Sequence, residues 1–272
     1  MRIMIGTDME GVAGVIDHDT WVTPEGRYYE RGKELLTREV NAAIEGFFEA
    51  GAEYILVSDG HGYGGLTLEL LDRRVDYRRG WSPVPYPGGL ENNFDCYAVI
   101  GQHPKAGTEY GHISHTGWFN VIDKRLNGIS IGEFGTAVFI CSELGVTPIF
   151  GSGDLAFTKE AQALVPGIET VAVKRGLTPG TGIECDTDQY RNRNLAAEHI
   201  HPERAREMIK KGAYDALTRF INDPKSFQVP KLDPPYILEM ETRKNGDIPP
   251  RYSKWEHPSS IIGVFNMPYG GK

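Results

Sequence analysis

No two cysteines of this chain stand close in sequence. Cys96, Cys141 and Cys185 are the only three in 272 residues, and none belongs to a CxxC pair. That spacing argues against a zinc ribbon or a disulfide framework and for buried free thiols in a reducing compartment. Long apolar runs are missing too: nothing approaches the ~20 residues that a membrane helix needs. Met1-Arg2-Ile3 leads directly into an apolar stretch, without the charged-then-apolar leader of an exported protein. A cytoplasmic location with no membrane partner is therefore expected. Basic charge is in deficit, with 29 Lys and Arg against 37 Asp and Glu and a net charge of −8. No broad cationic surface is available to neutralise phosphates, so nucleic acid is not an expected partner. There is no internal repeat and no low-complexity tract. What is present is an ordinary globular composition, 40% hydrophobic and 24% charged, long enough for one large domain or two small ones.

The periodicities alternate between strand and helix. Ile3-Met4-Ile5 reads as a buried strand, and Tyr28 to Ala50 as a helix with Leu35, Leu36, Val40, Ala43, Ile44, Phe47 and Phe48 at helical spacing and Gly51 as its stop. Tyr54-Ile55-Leu56-Val57 is the next strand. Strand, helix, strand within about sixty residues is a βαβ unit and implies a parallel sheet. Further strands are expected at Tyr97 to Ile100, Pro148 to Phe150 and Thr170 to Val173. A hairpin turning on Asn127-Gly128 is expected within Val121 to Ile131. Helices are expected from Gly132 to Leu144, Thr158 to Leu164 and Pro202 to Ile221, and Tyr236 to Glu241 alternates as a strand does. Residues 80–92 and 176–190 read as irregular, and the tail after Asn245 shows no strong periodicity. The fold class is α/β: a mostly parallel sheet with helices on both faces and a functional site at the carboxyl ends of its strands.

Those strand ends carry the polar chemistry. Gly6-Thr7-Asp8-Met9-Glu10-Gly11 follows the first strand and sets Asp8 and Glu10 at i, i+2, which strand alternation would turn to one side. Two close, buried carboxylates repel, and a cation removes that penalty. His61 follows the second strand, His103 the third and Asp154 the fourth, while Glu133 opens a helix that could reach the same place. Carboxylates and imidazoles gathered at one sheet edge suit a transition metal. Asp8, Glu10, His61, His103 and Glu133 are too many ligands for one four-coordinate zinc with an open position, so a pair of ions sharing one carboxylate fits better. Taken singly, the same residues have plainer roles. Glu133 suits a helix N-terminus without any metal, Asp154 is better read as a helix cap, His112 and Cys141 as structural, and His199 and His201 as surface.

Thr7-Asp8-Met9-Glu10-Gly11, Tyr29-Glu30-Arg31-Gly32, Ser58-Asp59-Gly60-His61, Gly101-Gln102-His103, Ser114-His115, Gly132-Glu133-Phe134-Gly135 and Gly153-Asp154 with Lys159-Glu160-Ala161 stand in the order and spacing of a known family. The chain resembles the zinc-dependent D-aminopeptidases of the dipeptide-transport operon type, continuously over residues 1–174 and more loosely from Arg191 to Glu241. The resemblance implies a dizinc metallopeptidase that hydrolyses the N-terminal amide of short peptides bearing an N-terminal D-amino acid. Asp8, Glu10, His61, His103 and Glu133 would be the ligands of two Zn²⁺ per chain, with Asp8 bridging, and His115 the catalytic histidine. It also implies a homo-oligomer, a ring such as a decamer. Residues 1–272 are then expected to form one D-aminopeptidase-like catalytic unit, with any smaller lobe or subunit-contact region within 176–272. Three departures bear on substrate preference and assembly rather than on the ligand set. These are the turn-rich insertion at 176–190, Leu155 where a second acid is expected, and the ending Tyr269-Gly270-Gly271-Lys272.

Two rival readings remain at this stage. Paired metals serve amidases and phosphoesterases equally well, although no Walker-type loop or arginine cluster marks a phosphate. A non-catalytic metal- or peptide-binding protein would use the same ligands without turnover.

Overall fold

The computed structural model describes residues 1–81 and 83–271. In chain order the elements are β1 (Arg2–Thr7), α1 (His18–Trp21), α2 (Tyr29–Glu49), β2 (Tyr54–Asp59), β3 (Asp76–Arg78), β4 (Cys96–Gln102), β5 (Val121–Leu126) and β6 (Ile129–Ser130). They continue with α3 (Glu133–Leu144), β7 (Thr147–Asp154), α4 (Leu155–Leu164), β8 (Glu169–Gly176), α5 (Thr187–Arg193), β9 (Ala197–His199), α6 (Pro202–Asn222), β10 (Tyr236–Thr242), β11 (Arg251–His257) and α7 (Ile261–Asn266). The main sheet has the order β3-β2-β1-β4-β7-β8-β9. Its strands pair in parallel from β3 to β8, and only the edge strand β9 runs antiparallel. The expected α/β class and parallel sheet hold.

Period-2 alternation in β1 divides the interior in two. Ile3 and Ile5 pack with Val40 and Phe47 of α2 and Ile209 and Leu217 of α6. Met4, on the opposite face, packs with Phe134 and Val138 of α3, Phe157 of α4 and Phe265 of α7. The α2–α6 crossing is close because position 46 is glycine: a Cβ there would stand 2.2 Å from the Lys210 carbonyl oxygen. A second, antiparallel sheet, β11-β10-β5-β6, joins the second core through Leu126 and Leu238. Its hairpin turns on Asn127 and Gly128, both at positive φ, as the two-residue turn requires.

Three expectations change. The tail after Asn245 is structured: β11 pairs along β10 and α7 is capped by Ser260. The 176–190 segment runs into α5, whose Asp186 and Gln189 form a reciprocal capping box. Helix α4 begins at Leu155, capped by Asp154 through the Ala156 amide. Cys96 and Cys141 are buried and all three thiols are free. No helix among the described residues is long and apolar enough to cross a membrane.

Candidate metal centre

Strand β1 lies where the connections diverge: β2 follows on one side through α2, and β4 lies on the other. In open α/β sheets the crevice at such a switch point is where ligands bind. Asp8 and Glu10 follow β1, His61 follows β2, His103 follows β4, and Glu133 is the first residue of α3. All five converge there. Alternation along a strand is not the reason for Asp8 and Glu10, because β1 ends at Thr7. A tight turn turns both inward, with Asp8 N–H donating to the Ile100 carbonyl at 2.9 Å and Gly11 N–H to the Gly101 carbonyl at 2.7 Å. A Cβ on Gly11 would sit 2.2 Å from the Gln102 oxygen, and one on Gly101 2.1 Å from the Asp8 oxygen. Both glycines are needed for the two chain segments to approach this closely.

The two oxygens of Asp8 face different imidazoles. Oδ1 lies 3.2 Å from His61 Nδ1, which is also 3.4 Å from Glu10 Oε2. Oδ2 lies 3.2 Å from His103 Nε2, which is 3.6 Å from Glu133 Oε1. Each imidazole is tied to a backbone carbonyl through its other nitrogen: His61 Nε2 to Val22 at 2.7 Å, His103 Nδ1 to Pro104 at 2.9 Å and His115 Nδ1 to Ile113 at 2.8 Å. A carbonyl only accepts, so these nitrogens carry a hydrogen and the opposite nitrogens are the ones turned to the site, where they would offer lone pairs to a metal. Metal-ligating histidines are oriented by this kind of outer hydrogen bond. The donor atoms of Asp8, Glu10 and His103, and those of His103, His115 and Glu133, each lie within 4.8 Å of one another.

Burial raises the cost of every charge here. It pushes the Asp8 carboxyl up, yet the neighbouring imidazoles, His103 first and then His61, hold it well below the carboxylate range. Glu133 is likewise held down to about 2, against its burial, by His103 first and then His115. Glu10 is lowered despite burial and the neighbouring Asp8 charge, through His61. Burial pushes His61 and His103 down, but the carboxylates beside them raise both well above the usual histidine range. Two buried carboxylates and the partly exposed Glu133 thus call for positive charge. Glu10 Oε2 and His103 Nε2, one in each half of the cluster, are buried without a hydrogen-bond partner among the described residues, as expected of atoms that take a cation instead. The residues present could hold one divalent ion between Asp8, Glu10 and His61 and a second between Asp8, His103 and Glu133.

His115 stands against the His103–Glu133 half of this cluster. Its ring stacks on His103 with centroids 3.9 Å apart and planes at 15°, and its Nε2 is 3.9 Å from Glu133 Oε1. Burial, and then the nearby His103, lower its proton affinity, so the neutral ring with a free Nε2 is the form that faces the cleft. Asp154 does not join the site; it caps α4 and accepts from the His112 amide at 3.3 Å.

Sequence reasoning missed the residues that brace the centre. Gln102 donates to Asp8 Oδ2 at 3.0 Å. Asp59 accepts from the Gly65 amide at 3.0 Å and closes the turn bearing His61. Lys174, buried on β8, donates to the Glu10 carbonyl at 2.5 Å, the Val15 carbonyl at 3.0 Å and His112 Nδ1 at 3.2 Å. Glu39 of α2 accepts from the Ala13 amide at 2.9 Å. These two clamp the turn that carries Glu10. His112 is structural as expected, but His199 is not simply at the surface: its Nδ1 accepts from the Gly14 amide at 3.1 Å. The 176–190 insertion leads into α5, whose buried Tyr190 accepts from the Gly107 amide at 2.8 Å and meets Ser114 Oγ at 3.1 Å, steadying the segment that carries His115. Asp59 and Gln102 fall within the motifs quoted above and the insertion was visible as such, but Lys174 and Glu39 had no signal in the sequence.

Residues 1–248 match the family described as D-aminopeptidase, peptidase family M55. A D-aminopeptidase of Bacillus subtilis (strain 168) is 33% identical over 180 residues, an alignment spanning 65% of this chain and 65% of that protein. The solved structure of a Bacillus subtilis protein described as Zn-dependent D-aminopeptidase DppA, a self-compartmentalizing protease, shares the fold with a TM-score of 0.82 at 23% identity, over 99% of this chain and 96% of the other. A family match that runs from residue 1 to residue 248 takes in every strand end and helix start that builds the centre, and the chain belongs to the D-aminopeptidase family.

Proposed function

We propose that this protein is a zinc-dependent aminopeptidase that hydrolyses the N-terminal amide of short peptides, with a D-amino acid at that terminus, and that residues 1–272 act as one catalytic unit. Asp8, Glu10, His61, His103 and Glu133 would hold the metal, two Zn²⁺ per chain, with Asp8 shared between the two halves of the set. His115 is the catalytic histidine. The single observation that carries this reading is the split of Asp8, whose two oxygens face His61 and His103 at 3.2 Å each, with Glu10 and Glu133 completing the two halves.

Zinc held there supplies a Lewis acid that polarises a carbonyl and lowers the pKa of water. The chain's own groups do the rest. His115 Nε2, made an acceptor by the hydrogen bond of Nδ1–H to Ile113, takes a proton from the attacking water and returns it to the departing amine nitrogen. The His103 ring beneath it holds its plane. The Gly117 amide, 2.8 Å from Glu133 Oε1, fixes the carboxylate between them. Because the solved relative is described as self-compartmentalizing, a homo-oligomer is the form in which we expect the protein to act.

Metal analysis of the purified protein, paired with hydrolysis of D-alanyl and L-alanyl amides and of a generic phosphate ester, tests the reading. Two zinc ions per chain and preferential D-alanyl turnover are expected. Phosphate-ester hydrolysis without amide turnover would move the function to the phosphoesterase class. A zinc-loaded protein inert to all three substrates would make it a binding protein.

A further inference from the structure

The metal centre is the floor of a cleft of about 550 Å³ whose outer rim is aromatic, with Tyr63, Trp81, Tyr86, Trp118 and Tyr269 along it. Burial falls steeply from floor to rim: Asp8 is 6% exposed, whereas Tyr269 is 52% and Trp81 67% exposed. Trp81 and Tyr269 meet edge to face, with centroids 5.6 Å apart at 70°, and Tyr269 meets Tyr86 at 6.3 Å. Tyr269 belongs to residues 249–271, beyond the stretch that matches the family. One buried side chain of the tail hydrogen-bonds both the amide and the carbonyl of a single residue in the 80–90 loop. Asn266, nearly fully buried, donates through Nδ2 to the Tyr86 carbonyl at 3.0 Å and accepts on Oδ1 from the Tyr86 amide at 3.2 Å. Tyr86 also packs on Phe265 at 5.8 Å. Two ring systems are thus held at the cleft mouth with their outer faces in water, an arrangement that favours a ligand over further self-packing.

The charge of the lining narrows the ligand. Among the described residues no Lys or Arg lines the cleft, so no side-chain cation is there to receive an acidic side chain. The lining also includes the apolar Met4, Leu90, Val99 and Ile140. An aminopeptidase holds the amine and the scissile carbonyl at the metals, so the chain beyond the scissile bond runs outward to the rim.

We propose that Trp81 and Tyr269 form the specificity-determining subsite for the residue that follows the scissile bond, and that it takes an aromatic or large apolar side chain. The proposal rests on the aminopeptidase reading for its direction along the peptide. The test is equilibrium binding by calorimetry, independent of turnover. Zinc-loaded full-length protein is titrated with three reduced-amide (CH₂–NH) dipeptide amides, each with D-alanine first and with phenylalanine, glycine or glutamate second. The phenylalanine compound should bind about tenfold more tightly than the glycine compound, the order expected for a ring stacked on two others, and the glutamate compound no better than glycine. Trp81→Ala and, separately, Tyr269→Ala should bring the phenylalanine-to-glycine ratio close to one with zinc content unchanged. Trp81→Phe should keep most of the ratio. Equal affinity for phenylalanine and glycine in the unaltered protein, equal affinity for glutamate and phenylalanine, or a ratio that survives both alanine substitutions would overturn the proposal. Failure to cleave any D-alanyl amide while the binding ratio holds would instead count against the enzymatic reading alone.

Discussion

Glu39 offers a quantitative check on how the turn bearing Glu10 is held. It lies on α2, 1% exposed, with Oε1 accepting from the Ala13 amide and Oε2 without a partner among the described residues. Burial pushes its carboxyl up to about 7, against smaller opposing effects of the Ala13 hydrogen bond, Lys174 and Arg206. The folded-state value therefore lies above the unfolded one, near 4.5, and between them the native chain holds more protons than the unfolded chain. Stability from this group is complete below pH 4.5, falls as pH rises through the window from 4.5 to about 7, and is flat above it. A shift of this size corresponds to roughly 3 kcal/mol. Glu39→Gln keeps the acceptor for Ala13 and abolishes the titration. The substitution should leave the protein somewhat less stable than the unaltered chain at pH 4.5, because the new amide N–H₂ has no partner, at a cost of about 1–3 kcal/mol. Its relative stability should then climb by roughly 3 kcal/mol on going to pH 7.5, which for a chain of this length is about 5 °C in Tm. Thermal unfolding of both zinc-saturated proteins at half-unit steps of pH measures the difference, and staying below pH 7.5 avoids Lys174, which burial lowers to about 8. Parallel Tm profiles across that window would refute the reasoning.

Three further outcomes are expected. His115→Ala should retain its zinc and lose about 10²- to 10⁴-fold in kcat, the usual contribution of a general acid–base; full activity would remove His115 from the mechanism. Asp8→Ala should lose at least one of the two zinc ions, measured by atomic emission on the dialysed protein, and undiminished zinc would end its role as the bridge. Gly101→Ala forces a side chain at φ +79° to within 2.1 Å of the Asp8 carbonyl oxygen, so lower zinc occupancy and a drop in stability of at least about 1–3 kcal/mol are expected. Unchanged zinc binding and Tm would show that the β1 turn does not depend on this close approach.

The sequence by itself determined the α/β class, because apolar runs alternating with helical periodicity admit few arrangements other than a parallel sheet. It also marked the candidates: Asp8, Glu10, His61, His103 and Glu133 each stand at a strand end or helix start that local pattern makes visible, and the resemblance singled out His115. What only the tertiary structure decided is set by contacts between segments distant in the chain. The Asp8 oxygens are divided between His61 and His103 because β1 lies between β2 and β4. Asp8 and Glu10 turn inward because the glycine backbones at 11 and 101 nearly touch, not because a strand alternates. Lys174 and Glu39 carry no local signature; they become clamps once β8 and α2 bring them beside the turn after β1. The tail showed no periodicity, yet it forms β11 and α7, because partners on β10, α3 and the 80–90 loop order it. No pattern internal to residues 249–271 encodes those partners.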